Sequence, residues 1–193
     1  MRGFAAFCHK EKCYPFGILL SYAGYLSRFA AAHSSDPTHV GIFLGTNDFA
    51  AGITDASYAT YKAYLDAMIS GIQTDVPGTV VLICLPPQGA LQSGFGAAYG
   101  AGYSEGQFAN NMNGFIRRIL ADYDSAAVRA TDIYLVPFHV NLDRYTGYPM
   151  SEEVKNIYTT ETVNRCTDGV HPSTGVGHKM MADTLAAVIQ ATR

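Results

Sequence analysis

The segment THVGIFLGTND, residues 38–48, sets the architecture. Its first part, THVGIFLG (38–45), is a short apolar run without polar alternation, the pattern of a strand covered on both faces. Two further runs have the same character, GTVVLICLP (78–86) and DIYLVPF (132–138). The segments between and after them carry helical periodicity. Tyr61, Tyr64, Leu65, Met68, Ile69 and Ile72 form one stripe, and Phe108, Met112, Phe115, Ile116, Ile119 and Leu120 form another. A polar stretch comes after the third run, and then a last helix opened by Ser173 and carrying Val176, Met180, Leu185, Val188 and Ile189. Strand and helix in alternation imply a parallel sheet in an α/β sandwich.

Sheets of this kind take ligands beyond the carboxyl ends of their strands, so the residues after each run are the ones to inspect. After the first run comes Gly45-Thr46-Asn47-Asp48. Asn47 would be presented at the sheet's ligand edge with an amide able to donate to a developing oxyanion. An ordinary turn, in which Gly45 and Asn47 supply conformational tolerance, fits the tetrapeptide equally well. The second signal is TDGVHPSTGVGHKM, residues 167–180. An Asp three residues before a His in a turn can reach the imidazole and fix which ring nitrogen carries the proton, as two members of a catalytic triad do. Pro172 disfavours helical geometry at His171 and keeps it in an extended loop.

GxND after an early strand, with DxxHP shortly before the C-terminal helix, resembles the SGNH (GDSL-type) hydrolases, whose third and fifth motif blocks have these patterns. The strand ending in PP, the Gly/Tyr loop FGAAYGAG and the run IYLVPFHVNLD extend the likeness over residues 38–193. The resemblance implies a flavodoxin-like three-layer α/β/α sandwich. It also implies a serine nucleophile, an Asp168–His171 relay, and an oxyanion hole built from a serine amide, a glycine and Asn47. No metal or cofactor is implied. The implied substrates are esters of small acyl groups, including acylated carbohydrate.

The chain departs from that pattern in one place. The family's GDS nucleophile motif occurs nowhere in it, and only 44 residues precede Gly45. RGF (2–4) falls where the second block belongs, which makes Gly3 the counterpart of the oxyanion glycine, and YPFG (14–17) resembles the segment just after that block. On this alignment the chain starts after the first strand and its nucleophile, as a truncated SGNH hydrolase. The expected consequence is a bare edge at VGIFL, covered by residues 4–30 or by a second copy in a homodimer. Gly102-Tyr103-Ser104-Glu105-Gly106 fits the G-x-S-x-G nucleophile elbow, but the elbow requires a preceding strand and GFGAAYGAG has no strand character. Ser104 reads instead as a helix N-cap, with Gln107 completing a capping box.

Composition narrows the alternatives. A chain of 193 residues, 48% hydrophobic, suits a single domain over 1–193. Its net charge of -3, with scattered basic residues, excludes a phosphate-binding surface and so a nucleic-acid partner. CHKEKC, with Cys8, His9 and Cys13, is half of a zinc pattern without the other half, which leaves free or locally paired thiols. Cys84 reads as a small core residue. FGILLSYAGYLSRFAAA (16–32) imitates a signal peptide but is interrupted by Arg28 and two tyrosines, so localisation stays open. No run is long and apolar enough to span a membrane. Phe95, Tyr99 and Tyr103 either line a substrate cleft or simply pack. Glu105 and Asp143 read as solvated loop charges, and His33, His39, His139 and His178 have no partner by spacing. Of these, His139 lies just past a strand end.

Overall fold

The computed structural model describes residues 36–92 and 104–193. Residue contacts gather them into two units. The first comprises the described part of Met1–Leu44 with Thr54–Cys84 and Ile119–Leu135, and the second comprises Gly45–Ile53, Leu85–Arg118 and Val136–Arg193.

The first unit is organised by a parallel sheet. Strand β1 (His39–Ile42) pairs in parallel with β2 (Val80–Cys84), from His39 opposite Val80 to Ile42 opposite Ile83. Strand β3 (Ile133–Val136) lies on the other side of β2, giving the order β1-β2-β3. The Val81 amide donates to Asp132 O and, four residues on in both strands, the Leu85 amide donates to Val136 O, which fixes the parallel sense. The sheet lies where the three apolar runs place it, with strands shorter than the runs. All five residues of β2 are buried. A central strand has neighbours on both edges and layers on both faces, and VVLIC offers no polar side chain that would resist that. Burial pushes the Cys84 thiol up to about 12, so it stays a neutral core group. Asp132, at φ 57, makes the left-handed turn into β3, a conformation that Asp tolerates better than most residues. The outer edge of β1 bears on the expected covering by residues 4–30, which lie outside the described residues.

Helix α1 (Thr46–Phe49) follows β1, and α2 (Asp55–Asp75) follows α1. Thr54 starts α2 through a capping box with Ser57. The buried line of α2 is Tyr58, Leu65, Ile69 and Ile72, whereas Tyr64 and Met68 are exposed. At 3.6 residues per turn Met68 lies roughly 70° and Tyr64 roughly 110° around the helix from the centre of the buried line. The apolar arc in the sequence is thus wider than the face that packs. Two tyrosines tie α2 to the end of α3 (Glu105–Tyr123): Tyr58 Oη donates to Asp122 Oδ2 at 2.7 Å and Tyr123 Oη to Asp66 Oδ1 at 2.6 Å. Burial opposes ionisation of Asp66, but the Lys62 ammonium and the Tyr123 hydroxyl outweigh it and hold the carboxyl below its usual range. After α3 come the single turn α4 (Ala126–Arg129), with Ser125 as its cap, and then β3.

In the second unit, α5 (Phe138–Asn141) follows β3. The stretch that read only as polar contains an antiparallel hairpin, β4 (Met150–Val154) with β5 (Thr162–Cys166), Met150 facing Cys166. MSEEV and TVNRC are mostly exposed, so no apolar alternation marks them. Their inner end alone is anchored, in a cluster of Ala90, Leu142, Tyr148 and Cys166 with Met150, Met180 and Met181 against it. The last helix, α6 (Val176–Ala191), starts three residues after Ser173, whose Oγ accepts the Gly177 amide at 2.9 Å. Among the described residues no helix is long and apolar enough to cross a membrane.

Gly45, between β1 and α1, has φ +105, and a Cβ there would lie 2.5 Å from the Phe115 ring. That ring stacks on Phe49 at 4.6 Å. A Gly45→Ala chain combines left-handed strain with overpacking and is expected to lose about 3 kcal/mol. The denaturant midpoint checks this, and a midpoint equal to that of wild type would show that neither the left-handed backbone nor the Phe115 contact resists a Cβ.

Candidate active site

Asp168 and His171 meet through a local turn. Asp168 Oδ1 accepts the amides of Val170 (2.9 Å) and His171 (3.0 Å). Oδ2 lies 2.8 Å from His171 Nδ1. An Asp bonding to amides two and three residues ahead is the local chemistry that favours this residue in turns. The three donors use both carboxylate oxygens. Burial opposes the charge, yet the two amides and the imidazole outweigh it and hold the Asp168 carboxyl below its usual range. With Asp168 ionised, Nδ1 must carry the proton, which leaves Nε2 as the basic nitrogen. The His171 side chain is 70% exposed, so the ring is open to solvent.

The loop carrying the pair is tied on both flanks. Before it, the Thr167 amide donates to Pro149 O at 3.0 Å; within it, Gly169 O accepts the Ala90 amide at 2.9 Å; after it, the Ser173 amide donates to Gly147 O at 2.8 Å. Gly177 packs so closely that an added Cβ would collide with Gly147 O and with Pro172. Only a glycine fits that crossing.

Asn47 is exposed, in α1 of the same unit. Its helix is held by Asn111 Nδ2, which donates to Ala50 O at 2.8 Å. The described contacts join Asp168 to His171 and do not join Asn47 to that pair. Ser104 caps α3: its Oγ accepts the Gln107 amide at 3.2 Å, and its own amide donates to Gln107 Oε1 at 2.8 Å. Glu105 is the first residue of that helix, where a negative charge suits the dipole. Asp143 is more than a loop charge, since its Oδ1 accepts the amides of Tyr145 (2.6 Å) and Thr146 (3.1 Å). Those bonds lower its pKa. His139 lies in α5 with Nδ1 buried and unpartnered, and burial lowers its pKa.

Gly3, Cys8, His9, Cys13, His33, Phe95, Tyr99 and Tyr103 lie outside the described residues. Cys84 and Cys166 are buried free thiols. Among the described residues no group of three or more His, Cys, Asp or Glu could hold a metal ion. An open cleft of about 640 Å³, lined by Tyr145, Tyr148, Pro149, Met150, Ser173 and Val176 among others, borders the His171 loop. Sequence reasoning did not find this cleft, because its walls are assembled from segments far apart in the chain, Gln92, residues 145–150, Asn164 and residues 173–176.

The pKa of Asp168 is lower in the folded chain than in the unfolded one. The stability it contributes is therefore present above the ordinary aspartate range and is lost as pH falls through the lowered folded value. Its side chain is 39% exposed, so after solvent screening the contribution is under about 1 kcal/mol. The difference in melting temperature between wild type and Asp168→Asn should be largest near neutrality and vanish in acid. A difference that does not change with pH would mean that the carboxylate's charge is not what the turn uses.

The family model for GDSL-like lipase/acylhydrolase matches residues 14–185, and the chain belongs to that family. Among curated proteins none matches. Among solved structures, a protein of Streptococcus pneumonia described in terms of platelet activating factor is similar at TM-score 0.50 and 20% identity, over 86% of this chain and 67% of that one. A structure from Chitinophaga pinensis, described as a possible lipase, is similar at TM-score 0.41 and 17% identity, over 88% of this chain and 79% of that one. The first of these likenesses supports the α/β fold.

Proposed function

We propose, from membership of that family, that the Asp168–His171 pair is the base relay of a serine ester hydrolase. The observation that carries this is the 2.8 Å contact between His171 Nδ1 and a carboxylate already fixed by two backbone amides. Such a carboxylate orients the ring, sets its tautomer and stabilises the imidazolium that forms when Nε2 takes a proton. In the reaction, Nε2 takes the proton of a serine hydroxyl as that oxygen attacks the ester carbonyl. The oxyanion is received by the Asn47 amide and the Gly3 backbone, and the imidazolium returns its proton to the departing alcohol. Water then repeats the sequence on the acyl-serine. We assign esters of small acyl groups, among them acylated carbohydrates, as substrates.

The sequence carries no GDS motif. Losing the nucleophile from a triad costs on the order of a millionfold in turnover. For these 193 residues the proposed outcome is hydrolysis of p-nitrophenyl acetate at the same background rate as His171→Ala. The missing motif also favours a second reading, a domain retained to bind a glycan or a partner without turnover. The test is that ester assay on wild type, His171→Ala and Ser104→Ala. Activity that disappears in His171→Ala would refute inactivity and show that a serine within the chain is the nucleophile. Its loss in Ser104→Ala as well would identify that serine.

A further inference from the structure

We propose that Arg144 is the positioning residue of the Asp168–His171 pair, an inference that rests on the relay reading above. Arg144 follows α5 by three residues, and its guanidinium is aimed at two consecutive carbonyls. Nε donates to Gly89 O at 2.7 Å and Nη2 donates to Ala90 O at 3.3 Å. Its own carbonyl accepts the Leu91 amide at 3.2 Å. Arg144 thus holds residues 89–91 through both side chain and backbone. The Ala90 amide, on the opposite side of the clamped peptide, donates to Gly169 O at 2.9 Å. Gly169 sits between Asp168 and Val170, and the Val170 amide is one of the two that fix Asp168 Oδ1. The route from guanidinium to carboxylate therefore passes through a single short segment, residues 89–91.

That segment continues as a template for the strand leading into the loop. Gln92 Oε1 accepts the Cys166 amide at 3.0 Å, and Gln92 Nε2 donates to Asn164 O at 3.3 Å. With Ala90, this gives three anchoring points between residues 90–92 and residues 164–169. Gly89, at φ +79, supplies the left-handed turn at which the segment starts. Ala90 is fully buried, so the segment has no side-chain freedom of its own there.

A guanidinium suits this role for a chemical reason. Its planar fork reaches two adjacent acceptors at fixed spacing, whereas an ammonium is a point charge on a flexible stem. An arginine that merely filled space would need neither carbonyl. One that sets the position of residues 89–92 fixes where Gly169 O is held, and so fixes the Asp168 turn.

The test uses the full chain and requires no ester. Arg144→Met, Arg144→Lys and Asp168→Asn are compared with wild type by two NMR readouts, with thermal melting to verify folding. One is the ¹⁵N signature of the neutral His171 ring, which reports the tautomer; the other is the ¹³C titration of the Asp168 carboxyl. In wild type the ring is expected as the Nδ1–H tautomer and the carboxyl titrates below the usual aspartate range. In Arg144→Met the Nε2–H population rises by about threefold or more toward the Asp168→Asn value, as expected when the imidazole loses its orienting acceptor. The Asp168 titration moves up. Arg144→Lys, keeping the charge but losing the fork, falls between the two. If neither signal moves in whichever variants retain their melting transition, the assignment of Arg144 is overturned. Absence of the Nδ1–H signature in wild type itself would overturn the Asp168–His171 pair, and the role of Arg144 with it.

Discussion

The loop that carries His171 is shaped by one carboxylate with three donors. Asp168 takes two backbone amides on one oxygen and the His171 imidazole on the other, so the turn that shapes the loop also orients the ring. Either function alone would be ordinary. Combining them means that the backbone of 168–171 cannot relax without moving the imidazole, and a change at His171 leaves the turn itself standing. The tethers at Thr167, Gly169 and Ser173 transmit the positions of residues 147–149 and 90 to that carboxylate.

The sheet was legible because burial on both faces writes itself directly into composition. VVLIC could hardly be anything but a covered strand, and the runs beginning at 38 and 132 share its character. The helices were legible from periodicity, although the wide apolar arc of α2 overstated its packed face by including Tyr64 and Met68. The hairpin of β4 and β5 was not legible. Its cross-strand contacts include a diagonal one, Arg165 with Glu153, 3.2 Å apart, and such exposed pairs leave a polar sequence with no period-two apolar signal. What stabilises it is mainly the cluster at the Met150–Cys166 end, assembled from residues far apart in sequence.

The site divides in the same way. Asp168 and His171 could be read because their interaction spans three residues and obeys local turn chemistry. The Ser104 cap is equally local, and its bond with Gln107 has the geometry of a capping box. Arg144 could not be read, since its partners lie 55 and 54 residues away and a lone arginine in a Tyr/Gly loop carries no motif. The cleft beside Ser173 was invisible for the same reason. Gly147 and Gly177 show the limit well: each is an ordinary glycine in the sequence, and only the fold shows that a Cβ would meet Asp143 O and Leu142 at the first and Gly147 O and Pro172 at the second.

The energetics of the pair explain why such remote tethers are needed. His171 is 70% exposed and Asp168 39% exposed, and a hydrogen bond to a carboxylate so open to water contributes little, between about 0 and 1 kcal/mol. A contact that weak cannot by itself keep a flexible loop in one geometry, because ordering each residue costs about 1–2 kcal/mol of backbone entropy. The ordering has to come from bonds less exposed to solvent. Those are the amide bonds to Gly147, Pro149 and Ala90 carried by neighbouring segments, together with the close crossing of Gly177 over Gly147. The imidazole can then remain accessible to solvent without losing its aim, since the parts that fix it are not the parts that face the solvent.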